Sequence, residues 1–259
     1  MPPPYAELVA AWKSLRATHG VVMREVACVG APRTVLVAEF GSDRAPAITI
    51  SAGMHGDEPA APWALLALVR DRLLDDRFSY RLWPCVNPSG YVAGTRTNAE
   101  GADVNRSFTR GGATPEARAI VTANRDRKFR LSLDLHEDFE ADGFYLFEPL
   151  IGGGTAYFAP SLIAAMDDAG FPVQDLADEG FDLGTPPAAR VAQTIARGMV
   201  LVDAKAERRF FPDGLPISLF LLRVAAERVL TFESPLRRSW DERIAMHRVA
   251  VVHALTRAG

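Results

Sequence analysis

The feature that most constrains this chain is a repeated switch between two hydrophobic periods. Short strand-like runs stand at 21–29, 33–40, 45–53, 80–86, 130–136, 143–148, 198–203 and 228–234. Helical patterns fall between several of them, at 58–74, 115–128, 160–169 and 240–257. In the last of these, Ile244, Val249, Val252 and Leu255 recur close to helical spacing. Strands alternating with helices predict one α/β domain over residues 1–259, with a mixed, largely parallel twisted sheet and helices on both faces. The ITISAG run at 48–53 reads as a central strand buried on both sides. In such sheets chemistry gathers beyond the carboxyl ends of the strands.

Composition narrows the partners. A chain of 259 residues can bury a substantial core. Its 29 basic and 32 acidic residues leave a net charge of −3, which excludes binding to nucleic acid driven by bulk charge. No apolar run approaches the roughly 20 residues of a membrane span, and the buried-looking run from Ile217 to Leu222 is far shorter. The opening MPPPYAELVAAWKSL reads as a proline arm entering an amphipathic helix, not as a secretory leader, so the expected location is cytoplasmic. Gly152–Gly154 and Thr185–Pro187 read as loops. Cys28 and Cys85 sit in apolar runs and read as small buried hydrophobes, too few for a disulfide framework. With five histidines in all, a metal site must draw on these and on carboxylates.

Three strand-like runs end on candidate ligands. ITISAG leads into Met54-His55-Gly56-Asp57-Glu58, RLSLDL ends at His136, and RVLTF ends at Glu233. Gly56 suits a tight strand-to-helix turn that could aim His55 and Glu58 at one point. Two histidines and one glutamate with an open fourth position form the ligand set of a catalytic zinc. The plainer reading makes His55 a turn residue, Asp57 and Glu58 first-turn carboxylates, and His136 a hydrogen-bonded strand-end residue. Asp134 should face the same side of its strand as His136, in a supporting or a structural role. His19 precedes Gly20 at a helix end, and His247 and His253 read as surface or packing residues on the last helix.

Between the candidate ligands stand Asn87-Pro88-Ser89-Gly90 and then Arg96-Thr97-Asn98-Ala99-Glu100-Gly101-Ala102-Asp103-Val104-Asn105-Arg106-Ser107-Phe108. With H-x-x-E before them, and a strand-end histidine and T-x-E after them, the chain closely resembles the zinc carboxypeptidase (funnelin) family. The resemblance is nearest to the compact bacterial branch of murein peptide amidase-like and succinylglutamate desuccinylase/aspartoacylase-like enzymes. It implies one zinc per chain on His55, Glu58 and His136. It implies that Asp103 holds a ligand imidazole and that Arg96 stabilises the developing oxyanion. Asn105 and Arg106 would grip the substrate's free carboxylate, and Glu233 would be the general base.

The implied activity is hydrolysis of an amide next to a free carboxylate, in a small peptide or an N-acyl amino acid. A deacylase of N-acyl amino acids and a non-catalytic zinc-binding module are the alternatives. The plainer readings make Arg96, Asp103 and Arg106 loop charges, pair Glu233 with Arg237 or Arg238, and make Asn87–Gly90 simple turn chemistry. The family's large digestive members carry a late tyrosine that closes over substrate, and here no tyrosine follows Tyr157. Phe210 and Phe211 fall in a plausible lid, and Tyr145 and Glu148 read as pocket or core residues. Arg190, Arg208 and Arg209 could meet an acidic substrate group or stand in solvent.

Overall fold

The computed structural model describes residues 2–150, 156–176, 193–203 and 214–259. Gly152–Gly154, Thr185–Pro187, Arg190 and the segment of Arg208, Arg209, Phe210 and Phe211 lie outside the described residues. All eight expected strands form: β1 (Val22–Val26), β2 (Val35–Phe40), β3 (Ala47–Ala52), β4 (Ser79–Trp83), β5 (Leu131–Asp138), β6 (Tyr145–Leu150), β8 (Met199–Asp203) and β9 (Val229–Pro235). A further edge strand, β7 (Gln193–Ala196), joins them in one sheet of order β1-β2-β4-β3-β5-β9-β6-β8-β7. The centre, from β4 through β3 and β5 to β9, is parallel, as is the pair of β6 and β8. Pairings toward the edges and across β9 and β6 are antiparallel. The sheet is therefore mixed, and its parallel character is concentrated where the candidate ligands end their strands.

Alternation sorts the side chains of these strands. Ile48 and Ile50, then Leu131, Leu133 and Leu135, then Leu230 and Phe232 enter one buried cluster. Among the described residues, four helices cover that face: α1 (Tyr5–His19), α2 (Ala60–Arg70), α5 (Ala159–Asp168) and α7 (Trp240–Ala258). Trp12, Leu65, Leu162 and Met246 are the side chains they contribute. The opposite face receives α4 (Pro115–Ala123) and α6 (Ile217–Val224), whose Ile120 and Leu221 pack on Val35, Val37, Trp83 and Val229. Asp134, His136, Thr231 and Glu233 alternate with the first set, so they fall on this second face.

Local chemistry sets the helix bounds. Asn87 accepts the Gly90 amide to start the short helix α3 (Pro88–Ala93), and Thr114 caps α4 with Pro115 in its first turn. Ser239 and Glu242 form a reciprocal capping box on α7. Helix α1 ends on Gly20 in the left-handed region, with φ +65°. His19 at that end reaches the Arg70 carbonyl at 3.0 Å. Helix α2 stops short of the sequence expectation, at Arg70, because Arg72 turns to φ +54°. Among the described residues no helix is long and apolar enough to cross a membrane. Cys28 and Cys85 are buried and unpaired with each other, as small core residues.

Candidate active site

The turn that leaves β3 carries the first two candidate ligands, and a backbone contact explains its glycine. A Cβ on Gly56 would lie 1.8 Å from the Gly90 carbonyl carbon and 2.2 Å from the Tyr91 amide nitrogen. The backbone of the H-x-x-E turn is pressed against the start of α3, and the Gly56 amide donates to the Thr95 carbonyl at 2.9 Å. The sequence expectation assigned Gly56 to a tight turn, and the structure assigns it to this close approach. The two motifs, 34 residues apart in sequence, thus form one packed unit with the loop that follows.

Glu58 stands between the imidazoles. It meets Nδ1 of His55 in a short contact, and its Oε2 lies 2.8 Å from Nδ1 of His136. The far nitrogens are held by carboxylates: His55 Nε2 lies 3.3 Å from Asp103 Oδ1, and His136 Nε2 lies 2.8 Å from Asp134 Oδ2. Asp134 is itself fixed by the Ser51 hydroxyl at 2.6 Å. Each carboxylate favours a proton on Nε2, which turns the Nδ1 lone pair toward the shared point. One donor atom from each of His55, Glu58 and His136 can be chosen so that all lie within 4.8 Å of one another. All three residues are buried. Two imidazoles and a carboxylate, both imidazoles oriented from behind, fit a catalytic zinc.

The loop from 95 to 108 builds the rest. Asn98 folds it from inside, accepting the amides of Glu100 and Ala102 at 3.0 Å each while its own amide donates to buried Glu116 at 2.9 Å. Asp103 accepts the Asn105 amide at 2.8 Å and the Arg96 guanidinium at 3.0 and 3.2 Å. Arg96 reaches to 3.3 Å from His55 Nδ1 and 3.9 Å from Glu58. The Asn105 side chain accepts the Ile217 amide at 3.1 Å and faces His136 Nε2 at 3.4 Å. It thereby ties the first turn of α6 to the ligand set. Arg106 donates to the Asn105 carbonyl at 3.0 Å and lines the same cleft.

Glu233 lies directly across the β5–β9 ladder from His136. Arg237 and Arg238 turn to Asp142 instead, so neither pairs with it. Burial raises the Glu233 carboxyl well above its ordinary range, the carboxylates of Glu58, Asp138 and Asp134 reinforce the rise, and His136 opposes it. Glu58 behaves oppositely: burial would raise it, yet the two imidazoles outweigh that and hold it well below the ordinary range. Burial likewise works against the charge on Asp103, but the His55 hydrogen bond and nearby arginines keep it low. Two carboxylates that line one cleft are thus pushed in opposite directions.

These residues line a cleft of about 490 Å³ that also takes in Tyr145, Phe147, Pro149, Val202 and Leu219. Tyr145 donates its hydroxyl to Asp138 at 2.7 Å inside this cleft. Glu148 points away from it, paired with Arg228 and accepting the amides of Phe158 and Ala159 at the start of α5. Glu137, next to His136, also turns to the helical face, where it accepts from Ala60 and Arg243 at 2.6 Å each. His247 is buried against Ser234 and the backbone of His136, behind the ligand set, and His253 meets Ser161, so both are packing residues that do not line the cleft. Sequence reasoning did not identify Tyr145 as a partner of Asp138. The period-two spacing of Asp134, His136 and Asp138 was the available signal.

The chain is similar to several known hydrolases. The family profile of the succinylglutamate desuccinylase/aspartoacylase catalytic domain matches residues 44–172. Carboxypeptidase D of Mus musculus is 31% identical over 180 residues, taking in 52% of this chain and 13% of that protein. Carboxypeptidase SOL1 of Arabidopsis thaliana is 29% identical over 111 residues, taking in 35% of this chain and 23% of that protein. The chain therefore spans only a small part of the length of these curated relatives. Among solved structures, a candidate metallopeptidase from Shewanella amazonensis superposes with a TM-score of 0.77 at 22% identity, covering 98% of this chain and 93% of that one. The metallo-carboxypeptidase of Burkholderia cenocepacia gives 0.68 at 18% identity, over 99% of this chain and 70% of that one. At these identities the structural likeness establishes the fold.

Proposed function

Because the chain belongs with the compact carboxypeptidase-like hydrolases that include the succinylglutamate desuccinylase/aspartoacylase catalytic domain, we propose that it is a zinc-dependent amide hydrolase whose small substrate ends in a free carboxylate. The observation that carries this reading is the orientation of the ligand set. His55 and His136 both aim Nδ1 at Glu58, and both have Nε2 held by a carboxylate. A structural role would not need two imidazoles polarised toward one point in an open cleft.

His55, Glu58 and His136 would hold the ion, and the chemistry it supplies is Lewis acidity together with a water acidified to a pKa of about 7. Glu233 takes the proton of the attacking water and returns it to the leaving nitrogen. Its raised affinity for a proton suits both halves of that transfer. Arg96, held in place by Asp103, offers fixed positive charge where the carbonyl oxygen becomes an oxyanion. Arg106 presents a planar fork to the substrate carboxylate. Asn105 keeps its backbone beside the ligand set and presents its amide edge to the same cleft.

Two measurements test this. Native protein should contain about one zinc per chain. Glu233→Gln should keep the metal while turnover falls about 10²- to 10⁴-fold, the usual contribution of a general base. A metal-free native protein, or a fully active Glu233→Gln, would sink the proposal. The match to the desuccinylase/aspartoacylase catalytic domain favours a second reading, deacylation of an N-acyl amino acid at the same site. Relative rates on N-acyl amino acids and dipeptides separate the two.

A further inference from the structure

The cleft changes character across the sheet. His55 and Glu58 follow β3, His136 ends β5 and Glu233 ends β9. The next strands in order are β6 and then β8. On β6 the positions that line the cleft are Tyr145, Phe147 and Pro149, every second residue of one strand face. Val202 on β8 stands in register with Pro149 and lines the cleft as well. Beneath this wall lies a separate small apolar cluster of Ala141, Tyr145, Leu176, Val200 and Val202, with Phe147 half-buried against it.

The wall begins one strand spacing from Glu233, about 5 Å, since Tyr145 pairs across the ladder with Glu233. The start of α6 lines the same cleft with Pro216, Ser218 and Leu219. That same turn is bonded to Asn105 through the Ile217 amide, and Arg106 is the next residue. The carboxylate-gripping arginine and the apolar wall are therefore joined through one helix start. A substrate whose carboxylate meets Arg106 and whose amide lies beside Glu233 would have Phe147, Pro149, Val202 and Leu219 in the same cleft to receive the side chain of its carboxylate-bearing residue.

We infer that the residue carrying the substrate's free carboxylate has an apolar side chain, of leucine or phenylalanine type, and that Phe147 is the residue that selects it. This deepens the hydrolase reading above and rests on it for the position of the carboxylate. It departs from the acidic side chain that the name of the matched catalytic domain would suggest.

The test pairs turnover with binding. N-acetyl amino acids and alanyl dipeptides ending in leucine, phenylalanine, glutamate, aspartate or lysine are assayed for kcat/KM with the zinc-loaded protein. The free amino acids are titrated by calorimetry. Leucine and phenylalanine compounds should exceed the charged ones by 10-fold or more, the scale of discrimination in an apolar pocket. Phe147→Lys, verified as folded by circular dichroism, should lose that preference and gain on glutamate and aspartate. A wild-type preference for acidic or basic ends, or no discrimination, overturns the inference. If nothing is hydrolysed while leucine and phenylalanine still bind best, the hydrolase reading fails and the apolar subsite stands. If nothing is hydrolysed and nothing binds, both fall.

Discussion

At the scale of single residues, the site is made by what stands behind the ligands. His55 and His136 would be two ordinary imidazoles without Asp103 and Asp134, whose contacts of 3.3 and 2.8 Å settle which nitrogen faces the cleft. Partners of this kind typically contribute 10- to 100-fold to metal affinity. Asp134 is the more buried of the two and is anchored by Ser51, so it has less freedom to be replaced by water. Asp134→Asn should therefore weaken zinc binding by 10- to 100-fold, measured by competition with a chromophoric chelator, with the fold intact by circular dichroism. Unchanged affinity would mean that Asp134 only fills a buried polar position. The same residue shows how far sequence reading reaches. Period-two spacing places Asp134 on the face of His136, but whether it touches the ring depends on a side-chain contact that no spacing encodes.

At the scale of elements, the decisive contact is backbone against backbone. The turn after β3 and the start of α3 touch at Gly56 and Gly90, where no side chain could be inserted on Gly56 without moving one of them. The strand ends that carry His55, His136 and Glu233 were legible because each closes a short strand-like run, the first of them apolar enough to be buried on both sides. So were α4, α5 and α7, from their apolar spacing. The short helix α3 was read only as a turn, because six residues are too few to show a helical period. Strand β7 escaped for a similar reason, although Arg197-Gly198, with Gly198 at φ +69°, is a two-residue hairpin signal. Gly56→Ala tests the element-scale argument. It should destabilise the protein by an amount at or above the ~1–3 kcal/mol of ordinary overpacking, and it should lower zinc content at equal protein concentration. A variant with wild-type melting temperature and full metal would show that the two elements can separate at no cost.

At the scale of the whole molecule, the site on one face depends on helices packed on the other. Glu137 binds α2 and α7 while its neighbour His136 faces the cleft, and Ser234 binds His247 of α7 while its neighbour Glu233 faces the cleft. His247 is the sensitive joint in this arrangement. It is fully buried, and burial drives its imidazole down to about 3, with nearby His136 and Arg243 adding to the effect and Glu58 opposing it. In the unfolded chain the same ring takes a proton near its ordinary pKa of about 6.5. As pH falls below that value the unfolded state gains a proton that the folded state refuses until about 3. His247 therefore leaves stability intact above pH ~6.5 and removes it progressively down to pH ~3, at a limiting slope of about 1.4 kcal/mol per pH unit. His247→Gln retains a group able to meet Ser234 but cannot titrate. Urea unfolding of the metal-free proteins at pH 7, 6 and 5 should show the wild type losing stability more steeply than the variant across that window. Glu233, whose carboxyl is raised well above its ordinary range, and Glu137, raised to about 7 by burial, are common to both proteins, so their protonation cancels in the comparison. Parallel curves would mean that α7 can open enough to charge the ring, and that the helical layer is less tightly coupled to the site than its packing indicates.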